Sequence, residues 1–232
     1  MRALQLILKT SLATIAAITI SNAAANTAAG EGSIPQLDFN EQTHLVFTCE
    51  EEKLARDVYR VLGRRFPEIG SFAVMAENKE NSNCAVDELL QKYRVSVPRV
   101  NHNVGVFSWG IYGRYFTEKY LVLTNQGTSN PLNALYVGAF IEELNIQDIN
   151  HCPKVLVDIN NGINDDSACG MNYTDNPDVL AVYEDLLDES RKHLRLLVGD
   201  IENVIGSGNY QAQVLQQDEV DAILSPRQVA QP

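Results

Sequence analysis

Apolar residues recur along this chain at helical spacing, and the best-defined stripes are interrupted by charge. From Asp38 the positions Leu45, Cys49, Glu52, Ala55, Tyr59 and Leu62 are three or four residues apart, one face of a helix. Pro67 marks its end. A second helix is expected from about Ser71 to Tyr93, with Phe72, Met75, Val86, Leu89 and Leu90 on its stripe and Lys79 and Ser82 in the middle. Residues 104–127, rich in aromatics around Trp109, predict a shorter helix or helix pair closed by Gly127. Ser129-Asn130-Pro131 supplies a polar cap and a first-turn proline for a third long helix with the stripe Leu135, Ala139, Glu142, Ile146 and Ile149. The stretch 150–177 is rich in Asn, Asp and Gly and predicts a loop. A fourth helix is expected over Asp178–Ile205, carrying Val179, Tyr183, Leu186, Ser190, His193, Leu197 and Ile201. The tail QVLQQDEVDAILSP suits one more short helix. Four long amphipathic helices, with a long connection between the second and third, predict an all-α four-helix bundle of the crossover kind.

The N-terminus changes the picture. Arg2 and Lys9, the apolar run TSLATIAAITIS and the small residues SNAAAN have the form of a secretory signal peptide over residues 1–25. The apolar run is short for a membrane span, which needs roughly 20 residues. Residues 26–37 predict a flexible leader, 38–225 the helical domain and 226–232 a tail. The expected location is periplasmic or extracellular. Removing Arg2 and Lys9 takes the net charge from −12 to −14. Such an acidic chain is a poor partner for nucleic acid or, after signal cleavage, for an anionic membrane. Four cysteines, Cys49, Cys84, Cys152 and Cys169, suggest two disulfides in an oxidising compartment, with three possible pairings.

The polar interruptions are the candidate chemistry. An unpaired carboxylate on an apolar stripe costs several kcal/mol. Glu52, Glu142 and His193 fall on three different helices, and antiparallel packing brings them to one layer. Two carboxylates and an imidazole suit iron, manganese or zinc. The competing reading is a buried layer of salt bridges and hydrogen bonds, joined by Lys79 and Tyr59. Glu50 and Glu51, like Asp185, Asp188 and Glu189, are expected on solvated faces. DINNGINDD (158–166) is rich in oxygen donors but lacks the spacing of a calcium loop. Asn172-Tyr173-Thr174 matches a glycosylation sequon. Neither a nucleophile constellation nor a phosphate-binding glycine loop is visible.

The segments EEEKLARDVY, MAENKENSNCAVDELLQKY, NALYVGAFIEELNIQDI and VYEDLLDESRKHLRLL, in that order, resemble the domain of unknown function 2202, a family regarded as ferritin-like. The resemblance covers about Leu45 to Ser225. Glu52, Ala55, Arg56 and Tyr59 also resemble the first helix of rubrerythrins, which implies Glu52 as the ligand position. The chain departs from the family where S-E-x-x-H falls on Asn78, Lys79 and Ser82, and where Asn145 replaces an acid. A ferritin-like register puts Glu52 and Ser82 in one layer and Cys49 and Cys84 in the next. That implies the pairs Cys49–Cys84 and Cys152–Cys169. Two functions follow as expectations. One is a metal-binding or redox protein with a reduced site on Glu52, Glu142 and His193. The other is a non-enzymatic exported binding or structural module that kept the fold.

Overall fold

In the computed structural model the residues described are 36–78, 84–96, 101–107, 110–159 and 162–225. Among them are eight helices and no strand: α1 Phe39–Arg65, α2 Gly70–Asn78, α3 Asp87–Lys92, α4 Gly110–Gly127, α5 Pro131–Asn150, α6 Lys154–Ile159, α7 Pro177–Ile205 and α8 Gln217–Leu224. They belong to one compact unit, Pro35–Pro232. The expected signal peptide, residues 26–35 of the expected leader, Lys79, Ser82, Trp109 and the tail beyond Ser225 lie outside the described residues, while Leu37, at the end of that leader, is buried in the core.

Local chemistry sets the helix starts. Asp38 and Glu41 form a reciprocal capping box, each carboxylate accepting the other residue's backbone N–H at 2.8 Å. Asn130 and Asn176 cap α5 and α7 through their side chains, each followed by proline in the first turn. Gly206, at φ +97°, ends α7 in a conformation that disfavours side chains.

Helix α1 packs against α2, α3, α4 and α5; α5 packs against α4 and α7; α7 also contacts α2 and α8. A Cβ at Gly138 of α5 would sit 3.0 Å from Leu197 of α7 and 3.1 Å from Phe72 of α2, so this glycine sets how closely three helices meet. The core runs from Leu45 and Phe47 through Tyr59, Leu62, Phe72, Ile146 and Tyr183 to Leu197 and Ile201.

Two expected elements differ. The helix expected over Ser71–Tyr93 is divided into α2 and α3, with Cys84 to Val86 in non-helical backbone just before α3. Within the expected loop 150–177, Lys154–Ile159 form α6, docked through buried Leu156. The cysteines pair as the ferritin-like register implies, Cys49 with Cys84 and Cys152 with Cys169. The first joins α1 to the turn before α3. The second closes the segment around α6.

Candidate polar core site

The interior is charged along α1. Every residue from Thr48 to Tyr59 is buried, including Glu50, Glu51, Glu52, Lys53, Arg56 and Asp57. The expectation that Glu50 and Glu51 face solvent is therefore wrong: each is 5% exposed. The cause is position, because α1 is enclosed by four helices rather than packed on one side. Burial drives both carboxyls toward the protonated form.

The middle layer gathers around Glu142, which is fully buried on α5. Its Oε1 accepts a hydrogen bond from Tyr59 Oη at 2.5 Å and lies 3.2 Å from His193 Nδ1. The other imidazole nitrogen, Nε2, is 3.8 Å from Glu189 Oε1, one turn earlier on α7. Glu189, with its side chain 35% exposed, thus borders the layer while remaining partly in solvent. Glu52 is 8% exposed. Burial raises the Tyr59 phenol pKa well above its ordinary value, and the negative charges of Glu142, Glu52 and Glu189 push it the same way. Tyr59 therefore remains a proton donor. Of the sequence-predicted trio, Glu142 and His193 are in direct contact, while Glu52 shares the electrostatic neighbourhood of Tyr59. Among the described residues no group of three His, Cys, Asp or Glu side chains is arranged to hold a metal ion.

Three further polar clusters escaped the sequence reading. Glu51 of α1 and Asp148 of α5 are both buried, and burial, with the charge of Asp148 acting the same way, holds the Glu51 carboxyl well above its ordinary pKa. Burial raises Asp148 to about 7, against the opposing effect of Lys119. Beside them, His44 Nε2 lies 2.7 Å from the Asp148 carbonyl oxygen and Nδ1 2.6 Å from Tyr183 Oη. Burial lowers the His44 pKa to about 4, so the imidazole is neutral near pH 7.

Asp57 is the second cluster. It pairs with Lys53, accepts from Arg56 Nη2 at 3.1 Å and takes the Gly105 N–H at 3.0 Å. Lys53 also donates to the Asn103 carbonyl at 3.0 Å and lies 4.3 Å from the centre of the Phe107 ring. Burial lowers the lysine pKa while Asp57 opposes that shift. These contacts fasten the loop 101–107 to α1.

Glu143 is the third. It accepts from Tyr210 Oη at 2.6 Å and from the backbone N–H groups of Gln213, Val214 and Leu215 at 2.7–3.0 Å. One carboxylate thereby satisfies three donors of the segment leading into α8.

A sequence signal existed for Glu51. Phe47, Glu51, Leu54 and Val58 form a second helical stripe on α1, beside the one through Glu52. Two adjoining stripes imply a helix enclosed on more than one side. Nothing local marks Asp148 or Glu143, whose partners lie 97 and at least 67 residues away.

The comparisons agree with this all-helical chain. Residues 41–227 match the model of an uncharacterized protein domain family, DUF2202. An uncharacterized protein of Methanocaldococcus jannaschii is 34% identical over 195 residues, covering 83% of this chain and 92% of that protein. The crystal structure of a hypothetical protein from Methanococcus jannaschii DSM 2661 aligns with a TM-score of 0.66 and 35% identity, over 84% of this chain and 98% of that one. The chain belongs to the uncharacterized domain family DUF2202.

Proposed function

We propose that this protein is an exported, ferritin-like helical module without a catalytic metal, whose middle layer is held by hydrogen bonds. The ferritin-like reading is supported by the neighbour order α1–α2–α7–α5–α1, which closes a ring of four helices, and by the long connection between α2 and α5. Export is supported by the signal-like N-terminus and by two disulfides. The observation that carries the hydrogen-bonded reading is at Glu142. One oxygen engages both Tyr59 and His193, so two of the three predicted ligands use those atoms on each other. The module works as a binding or structural unit.

A second reading has its own observation. His193 is braced at Nδ1 by Glu142 and directs Nε2 toward Glu189, the way a metal-bound imidazole is oriented by an outer carboxylate. Its donor set would be His193 Nε2 with Glu189 and Glu52, a mixture suited to iron, manganese or zinc. A bound ion would supply Lewis acidity or redox chemistry, and Glu142 would fix the tautomer of His193.

Elemental analysis of the untagged protein, produced with iron, manganese and zinc available, separates the two. The expected result is a folded, metal-free protein. A Lys79→Glu/Ser82→His variant, which installs the ligand types the family resemblance places there, is expected to gain metal. Near-stoichiometric metal in the wild type, lost in Glu52→Ala/His193→Ala, overturns the hydrogen-bonded reading and establishes the second.

A further inference from the structure

A cleft of about 500 Å³ opens between the start of α2 and the C-terminal third of α7. Its walls are apolar: Ile69 and Val74 come from the α2 side, Leu196 from α7 and Leu135 from α5. Val74 is 56% exposed and Leu196 45%, so this apolar surface meets water. Leu196, Asp200 and Val204 follow one another at intervals of four, and exposed Val204 extends the same face of α7. A contiguous apolar surface of this kind marks a place for a ligand. A Cβ on Gly70, at the first position of α2, would meet no atom within 4 Å, so the open space reaches the helix start. The charges in the lining are Glu68 and Asp200, both negative, with no Lys, Arg or His beside them. Ser71 Oγ donates to Asp200 Oδ2 at 3.5 Å, which gathers a hydroxyl and a carboxylate on one wall.

The lining selects among occupants. An anion is drawn to the amides of a helix start, but here it would lie against two carboxylates. A metal ion has no use for walls of Ile, Val and Leu. A second copy of the chain would bring carboxylates against carboxylates, in a protein of net charge −12. A molecule with an apolar body and a positive end fits both parts of the cleft. Its body would cover Ile69, Val74, Leu135 and Leu196. A primary ammonium carries three N–H donors, and Asp200, Glu68 and the Ser71 hydroxyl oxygen supply acceptors. The volume lies within the roughly 300–1,000 Å³ of small-molecule pockets.

We propose that this cleft binds a small apolar primary amine, held as its ammonium ion by Asp200 and Glu68 with its hydrocarbon part against the α2 and α7 walls. The site goes beyond the hydrogen-bonded reading of the Glu142 layer, since Glu52, Glu142, Glu189 and His193 do not line it. Metal found in that layer would overturn the earlier reading and leave this one standing. Absence of amine binding would do the reverse.

The test is amide NMR of the purified, untagged protein titrated with hexylammonium chloride to about 20 mM, a range set by the binding such a small ligand can reach. Saturable shifts are expected at the cleft residues, with half-saturation in the millimolar range. Hexanol, which has the same chain without the charge, is expected to bind about three- to fivefold more weakly, and hexanoate not to saturate. A Glu68→Gln/Asp200→Asn variant is expected to bind hexylammonium no better than hexanol, with its spectrum unchanged away from the cleft. Raising the salt from about 0.02 to 0.5 M is expected to weaken hexylammonium and spare hexanol. Absence of saturation in the wild type, shifts centred elsewhere, or hexanoate binding as well as hexylammonium would each overturn the proposal, with no variant needed. Tighter binding of an acetylated Leu-Lys-Leu amide at the same residues would overturn it in favour of a lysine on a partner protein.

Discussion

Helices α1 and α7 have similar lengths, 27 and 29 residues, but contrasting surroundings. Helix α7 buries one stripe, Val179, Tyr183, Leu186, Ser190, His193, Leu197 and Ile201 among them, and leaves Leu196 and Val204 exposed on its other side. Helix α1 is buried around its whole circumference from Thr48 to Tyr59, although that stretch holds six charged residues, Glu50, Glu51, Glu52, Lys53, Arg56 and Asp57. A one-sided helix can place its charges in water. An enclosed helix must neutralise them internally, by pairing, by hydrogen bonding or by keeping a proton. All three solutions occur within three turns: Asp57 pairs with Lys53 and Arg56, Tyr59 hydrogen-bonds to Glu142, and burial pushes the Glu51 carboxyl toward its protonated form. The contrast shows that the number of packed sides, more than composition, sets the energetic weight of a charge.

Substitutions can break this contrast. Asp57→Ala is expected to be the most damaging, because it leaves Lys53 and Arg56 buried without their carboxylate and frees the Gly105 N–H. A loss of about 3–5 kcal/mol is expected in urea unfolding. An effect below about 1 kcal/mol would mean that the middle of α1 opens to water. Tyr59→Phe removes one donor from Glu142 while leaving His193 in place, for an expected loss of about 1–3 kcal/mol. The smallest effect belongs to α7. Arg191 and Asp188 are 3.6 Å apart with both side chains solvent-accessible, and Arg191→Ala is expected to change stability by less than about 0.5 kcal/mol. A cost similar to that of Tyr59→Phe would erase the distinction between the two helices.

The legibility of the chain follows the same contrast. The bounds of α5 and α7 were readable because caps, prolines and a single apolar stripe all agree there. The division between α2 and α3 was not, since an apolar spacing alone cannot tell one helix from two with a turn between them. Glu142 and His193 could be predicted as neighbours because each interrupts the centre of a clean stripe. Glu189 was missed because its surroundings on α7 are those of a solvated face, and only its i, i+4 relation to His193 hints otherwise.

The sequence by itself determined that the chain is helical, where its long helices start, and which family it belongs to, because capping, periodicity and motif order are local properties. The partners of the charges were decided by the tertiary structure alone. Whether Glu50 and Glu51 meet water or protein depends on how many helices surround α1. Whether Glu51 stays an anion or is pushed toward its protonated form depends first on that burial and then on the charge of Asp148, 97 residues away. Burial and charge proximity are properties of three-dimensional neighbours, and residue order carries them only once the helices have packed.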